Sequence, residues 1–540
     1  MNAMETFFAQ LEQRVDVPVV VEVHDTHEDV FTGQRLLDLA QRARSAFRAQ
    51  GLTPGSRVAL LGPNSGKWVA CDLALMAEGL ISVPLYTRQA PQELVGMLKD
   101  CDAGILLAPD SETLELASGS GITGLTYAQV FGEAPLAETS RHAWSAEDTV
   151  TLVYTSGTSG EPKGAMLTMK GLDFMLPRTR DALQSIVGDL GDDERVFHYL
   201  PFCFAGSRIV LWTSLFRGVP LSMSTSLDRL IKEIPKAAPH YFLNVPTLLE
   251  RIRAGADARM RTRGVAVEYL YNAAIKAWAT PRNTRSVTDR LALRCADALL
   301  FAFVRKALGP NLRFLICGSA PLSAETQAWF EMLQIPVYQV YGLTETTAIV
   351  TIDRVHEAEA GRVGHAIDGV ELRLGDSDEL QVHGANIFGG YWERPEASAQ
   401  AFTADGWFRT GDQCELREDG SLKVIGRVKN VLVPSSGHNV PPEPIEQKVT
   451  EAIPGIARSV LIGHGRKHLT VLLEGEASAT DIDRGLAAVN ETLPFYKRVR
   501  AWRLLPAELE STEGLLTANG KLRRSVIATH YSDLIEGMYA

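Results

Sequence analysis

The sequence predicts a mixed α/β protein with a large N-terminal domain and a smaller α+β domain at its C-terminal end. Three observations support this prediction. The chain has 540 residues, which is more than one hydrophobic core usually serves. Short apolar runs alternate with helical patterns, as in parallel sheets covered by helices. Short strands and turns that follow residue 346 and continue through residues 389–391 indicate a small distorted β-barrel before the last domain.

The first elements have the strand–helix–strand order of a parallel sheet. Residues 31–50 carry apolar side chains at a helical period, and Gly51 ends this predicted helix. Residues 57–61 and 80–85 are apolar runs that predict strands, and the segment between them predicts a second helix. Strands joined through a helix with short turns pair in parallel.

Later segments continue the pattern. Residues 149–153, 312–317 and 337–341 are apolar or aromatic runs that predict buried strands. Residues 239–250 predict a strand, a turn at Pro246 and a helix. Near the C-terminal end, a Gly/Ser turn, a helix and a hairpin are predicted, with the hairpin strands at 460–463 and 469–473.

Composition excludes several classes of protein. The 540 residues are 45% hydrophobic and 22% charged, without a run of 18 apolar residues, so a transmembrane helix is not expected. The N-terminal residues do not have the pattern of a secretory signal. The six cysteines are scattered without a C-x-x-C pair, which predicts reduced thiols in a cytoplasmic protein. A net charge of −11 argues against a nucleic-acid partner.

The most informative stretch is residues 154–164, directly after the predicted strand at 149–153. Its glycines let backbone N–H groups approach an oxyanion, its hydroxyls can donate to the same oxygens, and Lys163 adds positive charge. This composition suits a polyphosphate, although the Walker pattern is absent; a flexible surface loop is the alternative. The candidate phosphate-binding residues are Thr155, Ser156, Gly157, Thr158, Ser159, Gly160 and Lys163.

The loop resembles the phosphate loop of the adenylate-forming superfamily, which includes acyl-CoA synthetases, peptide-synthetase adenylation domains and luciferases. The usual family form has Thr where this chain has Ser159. Further stretches resemble family motifs in the expected order: 318–322, 341–346, 406–412, 426–430 and 516–524. Residues 199–208 and 239–250 are most similar to the long-chain fatty acyl-CoA synthetase branch, although Phe204 stands where that branch has His.

The resemblance implies roles for residues of the large domain. Gly318, Ser319 and Ala320 would form the turn that stacks on adenine, and Tyr341 would pack on the nucleotide beside Gly342. Thr344 would contact the α-phosphate. Glu345 would hold Mg²⁺, for which a carboxylate is a suitable ligand.

The resemblance also implies roles for four residues nearer the C-terminus. Asp412 would accept both ribose hydroxyls of ATP, and Arg427 would reach the ribose or a phosphate. Lys429 would be the hinge, and Lys521 the catalytic lysine. The expected domains are therefore residues 1–427, with stacked α/β sheets and the barrel, and a mobile domain of residues 428–540 that carries Lys521.

The implied reaction is ATP-dependent activation of a medium- to long-chain fatty acid to acyl-AMP, followed by transfer to CoA. Alternatives are a ligase that loads a carrier-protein thiol and one that activates an aryl or other specialised acid. Light emission, as in luciferases, stays open. A scaffold without activity would be expected to lose motif residues, and Lys163, Glu345, Asp412, Arg427 and Lys521 are all present. Chain length and oligomeric state stay undetermined.

One segment is basic, although the chain as a whole has a negative net charge. Residues 253–306 hold 11 Lys/Arg against 4 Asp/Glu, a local charge of +7. Within it, Leu291, Cys295, Leu299 and Phe303 recur every four residues and predict a helix. One interpretation is a helix packed on the core with a solvated basic edge. The other is a peripheral contact with the inner face of the membrane.

Overall fold

The computed structural model describes residues 1–132, 140–156, 162–188, 190–512, 514–517 and 520–540. Contacts divide the chain into two compact units. The first contains residues 1–371, 382–408 and 419–421, and the second contains residues 372–381, 409–418 and 422–540. The mixed α/β class predicted from the sequence is confirmed.

The first unit contains strands and helices in alternation. Its strands are β1 Pro18–Val23, β2 Glu28–Thr32, β3 Arg57–Leu61, β4 Ile81–Leu85, β5 Ile105–Ala108, β6 Gly124–Thr126, β7 Thr149–Ser156, β8 Pro162–Thr168, β9 Val196–His198, β10 Leu221–Ser224, β11 Tyr241–Asn244, β12 Leu315–Cys317, β13 Val337–Tyr341, β14 Thr351–Ile352 and β15 His365–Ala366. Its helices are α1 Ala3–Gln13, α2 Gly33–Ala49, α3 Gly66–Ala77, α4 Pro91–Asp100, α5 Ser111–Glu115, α6 Tyr127–Val130, α7 Met169–Val187, α8 Ala205–Arg217, α9 Leu230–Ala237, α10 Pro246–Thr262, α11 Val265–Ala279, α12 Val287–Ala296, α13 Ala302–Leu308, α14 Ala324–Met332 and α15 Pro395–Gln400.

Two sheets organise the first unit. The nine-stranded sheet has the order β15-β14-β13-β12-β11-β9-β10-β1-β2, and the six-stranded sheet has the order β6-β5-β3-β4-β7-β8. Strands β3 and β4 pair in parallel around α3, as the sequence predicts. Strands β4 and β5 are buried along their whole length, which explains their continuous apolar sequences.

The second unit contains most of a four-stranded sheet and all of a three-stranded sheet. Its strands are β16 Val370–Leu374, β17 Glu379–Gly384, β18 Phe408–Leu416, β19 Leu422–Arg427, β20 Ile456–Ile462, β21 Leu469–Gly475 and β22 Val499–Leu504, and its helices are α16 Glu443–Ala452, α17 Ala479–Glu491, α18 Arg524–His530 and α19 Ser532–Glu536. The predicted hairpin is β20–β21, which pairs antiparallel. Val471 and Leu472 of β21 enter different apolar clusters because neighbouring side chains of a strand point to opposite faces.

The boundary between residues 427 and 428 stays a prediction, since the contact-based units divide the barrel region differently. Among the described residues, every helix is too short or too polar to cross a bilayer.

Candidate active site

The candidate phosphate loop connects two antiparallel strands, β7 and β8, at the edge of the six-stranded sheet. Thr155 lies opposite Lys163 in this ladder, and Ser156 lies opposite Pro162. The sequence predicted a strand before the loop, but not the returning strand after it. Gly157, Thr158, Ser159 and Gly160 lie outside the described residues, and their contacts with phosphate stay predictions. The ladder places Lys163 at the base of the loop.

The turn that carries Thr344 and Glu345 follows the end of β13. The Thr346 hydroxyl accepts from the Leu343 N–H at 2.9 Å and donates to the Leu343 carbonyl at 3.0 Å. At Gly342, a Cβ would lie 1.9 Å from the carbonyl oxygen of Ala348. Glycine is therefore required here by the fold itself, whether or not a nucleotide approaches.

Tyr391 joins the phosphate-loop lysine to the candidate magnesium carboxylate. Its hydroxyl donates to Glu345 Oε1 at 2.8 Å, and the Lys163 ammonium lies 5.3 Å from its ring centroid. Glu345 is only 9% exposed. A buried carboxylate that accepts from a fixed hydroxyl is held in one orientation. Lys163 and Glu345, far apart in sequence, are thus brought into one cluster.

Backbone hydrogen bonds of residues 388–392 hold this cluster together. Gly389 N–H donates to the Met166 carbonyl at 2.9 Å, and Met166 N–H donates to the Gly390 carbonyl at 2.9 Å. On the other side, Phe388 N–H donates to the Glu345 carbonyl at 2.9 Å. The segment therefore bridges β8 and the Glu345 turn. Tyr391 was not predicted as a site residue, and its only signal in the sequence is the pair of glycines before an aromatic residue.

The residues at this cluster fit a magnesium ion held with a nucleotide. Mg²⁺ is usually bound through one or two carboxylates together with substrate phosphates and water. Glu345 supplies one carboxylate, and a carboxylate keeps further acceptor positions after one oxygen accepts a hydroxyl. Among the described residues, no group of three or more His, Cys, Asp or Glu side chains could hold a metal ion. An ion at Glu345 would therefore depend on the nucleotide for its other ligands.

Tyr391→Phe is expected to lower kcat/KM for adenylate formation about tenfold or more, because a hydrogen bond to a charged group contributes about 1.5–3 kcal/mol. The concentration of Mg²⁺ giving half-maximal rate should rise, since Glu345 loses the donor that orients it. Tyr391→Leu also removes the ring beside Lys163 and should cost more. Initial rates over a magnesium series, with thermal unfolding as the folding control, check this. A Phe variant with an unchanged magnesium dependence would contradict the positioning role.

The predicted adenine turn follows β12, which pairs with β13, the strand before the Glu345 turn. Strands β12 and β13 are parallel, with Cys317 opposite Gln339. Their carboxyl ends therefore meet at one edge of the sheet, where ligands of such sheets bind. Gly318 begins the turn after β12, and a Cβ there would lie 2.7 Å from Val340 Cγ2. Ser319 and Ala320 are exposed and Tyr341 is half-buried.

Asp412 and Arg427 pair directly in the second unit. They are opposite residues in the antiparallel β18–β19 ladder, and Arg427 Nε lies 2.8 Å from Asp412 Oδ1. Arg427 also donates to the Thr410 carbonyl at 3.0 Å. The Asp412 side chain is 8% exposed and the Arg427 side chain 36%. The two residues predicted to bind ribose thus form an ion pair, in which Arg427 orients the Asp412 carboxylate.

Lys521 lies in the second unit and is exposed to solvent. Its N–H donates to Thr517 Oγ1 at 3.1 Å, and Thr517 N–H donates to the Lys521 carbonyl at 2.8 Å. Arg524 anchors the following helix by donating to both carboxylate oxygens of Glu446, at 2.6 and 2.5 Å. Burial raises the pKa of the Glu446 carboxyl, and Arg524 opposes that rise.

Lys429, the predicted hinge, lies exposed in the 3₁₀ turn Val428–Asn430 after β19. The turn is attached to α16, because Asn430 Nδ2 donates to Glu443 Oε1 at 2.7 Å. A Cβ at Gly426 would lie 2.4 Å from Glu443 Oε2. Gly426 and Asn430, on either side of Lys429, are therefore packed closely against Glu443, whereas the Lys429 side chain faces solvent.

The candidate acyl segment, residues 199–208, is fixed to the N-terminal part of the first unit. Asn64 Nδ2 donates to the Leu200 carbonyl at 2.8 Å, and Phe202 N–H donates to Asn64 Oδ1 at 2.9 Å. The Phe204 ring packs against Tyr86 with 5.4 Å between centroids. An aromatic pair therefore occupies the position where the long-chain branch has His.

Comparison with known proteins agrees with this assembly of motifs. Residues 7–392 match the AMP-binding enzyme family, and residues 429–540 match the AMP-binding enzyme C-terminal domain. The long-chain-fatty-acid–CoA ligase FadD15 of Mycobacterium bovis is 27% identical, over 98% of this chain and 96% of that protein. The long-chain-fatty-acid–CoA ligase ACSBG1 of Bos taurus is 27% identical, over 93% of this chain and 80% of that protein.

Solved structures share the fold. ATP-bound MatB from Rhodopseudomonas palustris superposes with a TM-score of 0.75 and 24% identity, covering 99% of this chain and 100% of that one. The adenylation domain of a carboxylate reductase from Mycobacterium chelonae gives a TM-score of 0.78 and 21% identity, covering 100% and 91%. With its ordered motifs, its α/β sheets and both family domains in sequence, the chain belongs to the AMP-binding enzyme family.

Proposed function

We propose that this protein is an AMP-forming ligase that activates a medium- to long-chain fatty acid and transfers the acyl group to CoA. The observation that carries the proposal is the Lys163–Tyr391–Glu345 cluster, which gathers a phosphate-loop cation and a magnesium carboxylate at one place. The similarity to long-chain fatty acid–CoA ligases, over 98% of the chain in one case, supports the choice of acid and thiol.

The first step joins the acid to AMP. The ionised carboxylate attacks the α-phosphorus of ATP in line, the bond to the bridging oxygen breaks, and pyrophosphate leaves. Because the acid is already ionised, no side chain has to remove a proton. Negative charge grows on the α-phosphate and on the leaving group, so fixed positive charge and donors accelerate the step.

The chain's own residues supply most of that stabilisation. We assign Lys163 and the loop residues 155–160 to the phosphates, Thr344 to the α-phosphate, and Lys521 to the reacting centre. Bound Mg²⁺ would neutralise charge on the phosphate oxygens. Gly318, Ser319, Ala320 and Tyr341 would position adenine, and the Asp412–Arg427 pair would fix the ribose. Each of these groups holds the nucleotide in the geometry of attack.

The second step is thioester formation. The CoA thiol loses its proton, its sulfur attacks the acyl carbon, and the bond to the AMP oxygen breaks, so that AMP leaves. We propose that residues 428–540 rotate about Lys429 between the two steps, with residues 1–427 holding the acyl-adenylate. Lys521 would then serve only the first step, because it travels with the rotating domain.

The acid would bind beside residues 199–208. The half-buried rings of Tyr86 and Phe204 pack against each other at this segment, and the Trp68 and Phe202 rings behind it are fully buried. Such a surface suits an alkyl chain better than a charged or strongly polar acid. The Phe204–Tyr86 pair is the contact expected to influence chain length.

A panel of acids tests the proposal. Purified enzyme is incubated with ATP, Mg²⁺ and acids from acetate to oleate, together with benzoate as an aryl acid, and pyrophosphate and acyl-CoA are both measured. The proposal predicts that rates with CoA peak among medium- and long-chain acids. A peak for benzoate would indicate a specialised acid instead. Accumulated acyl-AMP without acyl-CoA would indicate a carrier-protein thiol as the acceptor.

A further inference from the structure

Helices α10 to α13 expose an unusual number of large apolar side chains. Here the α10–α13 surface means the solvent-facing side of residues 253–306. Val265 and Val287 are 84% and 81% exposed, and Leu291 and Leu299 are 60% and 68% exposed. The other exposed large apolar residues of the segment are Tyr269, Ile275 and Phe303. Scattered apolar residues are ordinary on a surface, whereas several exposed in one short segment point to an interaction site if they lie together.

The packing of this segment separates the two sequence-based interpretations. Its core side includes Tyr271, Ala296, Leu300, Phe301 and Val304, which are buried in one hydrophobic cluster of the first unit. The stripe predicted from the four-residue period, which includes Leu291, Leu299 and Phe303, instead faces outward. A π-helical turn at Asp297–Phe301 separates α12 from α13 and changes which side chains face the core. The segment is therefore packed on the core and also leaves an apolar stripe outside.

The charges of the same surface are strongly sorted by exposure. Eight basic residues of the segment are exposed: Arg259, Arg261, Arg263, Lys276, Arg282, Arg290, Arg294 and Lys306. Its four acidic residues are all half-buried. Asp289 accepts from the N–H of Ser286, the N-cap residue of α12, and Asp297 pairs with Arg305. The exposed side chains of residues 253–306 are therefore more positive than the segment's net charge of +7 indicates.

Basic and apolar groups share one face. The Arg263 guanidinium, at the end of α10, lies 4.4 Å from the ring centroid of exposed Phe303 on α13. Along α12, Val287 and Leu291 alternate with Arg290 and Arg294 at helical spacing, and all four are exposed. The surface thus presents apolar side chains with cations beside them.

We propose that the α10–α13 surface docks the protein on anionic lipid membranes. Apolar side chains would enter the boundary between head groups and acyl chains, and the surrounding arginines would meet lipid phosphates. A second copy of the chain is a poor partner, because two such surfaces would place eight exposed cations against eight more. This proposal does not depend on which acid the protein activates, since it is argued from the α10–α13 surface alone.

Vesicle co-sedimentation of the full chain tests the proposal. The parent is mixed with neutral phosphatidylcholine vesicles, and with vesicles that contain phosphatidylglycerol, at low and high salt. The charge variant replaces Arg259, Arg261, Arg290 and Arg294 with Gln. Arg285 is kept, because it donates to the Thr280 and Trp278 carbonyls and is structural. The matched control removes the same charge from exposed lysines elsewhere and replaces Lys67, Lys99, Lys423 and Lys467 with Gln.

The parent should partition onto the anionic vesicles at low salt, and less at high salt. Each basic residue near such a surface changes the partition coefficient about fivefold (about 1 kcal/mol), so the charge variant should lose at least about tenfold. Leu291→Gln with Leu299→Gln should also weaken binding. Equal binding of the parent to neutral vesicles, or an equal loss in the charge variant and its control, would overturn the proposal. If the charge variant unfolds on heating earlier than the control, the lipid and salt dependence of the parent decides.

Discussion

Replacing Lys521 with alanine is expected to lower acyl-adenylate formation by about 100-fold or more, in line with the loss of one preorganised donor at a developing negative charge. Thioester formation from presynthesised acyl-AMP and CoA should change little. The two half-reactions separate because Lys521 is proposed to serve only the attack on the α-phosphorus. Because the Lys521 side chain is exposed, the change should not disturb a packed core.

The measurement uses pyrophosphate release without CoA for the first half-reaction, and acyl-CoA formation from acyl-AMP for the second. Lys467→Ala is the matched control, since Lys467 is another exposed lysine of the same unit. It should leave the first half-reaction near the parent rate. A folded Lys521→Ala protein in which both half-reactions fall equally would disprove the assignment.

Lys429→Pro is expected to slow thioester formation by about tenfold or more while adenylate formation is largely retained, because proline fixes φ and blocks a backbone rotation. Lys429 faces solvent in its 3₁₀ turn, so lost side-chain packing is not expected to account for the effect. Lys429→Ala keeps the backbone free and serves as the control. If the proline variant forms thioester from acyl-AMP at the parent rate, Lys429 is not the pivot.

Local sequence patterns predicted the elements well. Residues 31–50 contain α2, and the apolar runs at 57–61 and 80–85 contain β3 and β4. Burial on both faces makes such strands continuously apolar, and a helix leaves a clear period. These signals lie within a few neighbouring residues, which is why single elements can be read from sequence.

Contacts between distant segments could not be predicted in this way. Asp412 and Arg427 are 15 positions apart, and only the register of β18 and β19 places them opposite each other. Tyr391 reaches Glu345 because residues 388–392 pair with β8, and β8 itself was not predicted. Across residues 291–303, the π-helical turn directs Leu300 and Phe301 inward and leaves Leu299 outside, a change that a constant helical period does not reveal.

The central claim is that this chain forms an acyl-adenylate and then a thioester, and isotope transfer tests it most directly. Enzyme, ATP, Mg²⁺ and CoA are incubated with a fatty acid whose carboxylate carries ¹⁸O in both oxygens, and the products are analysed by mass spectrometry. Attack of the carboxylate on the α-phosphorus predicts one ¹⁸O in AMP, one in acyl-CoA and none in pyrophosphate. Formation of ADP with ¹⁸O in inorganic phosphate, or of AMP without label, would contradict the account.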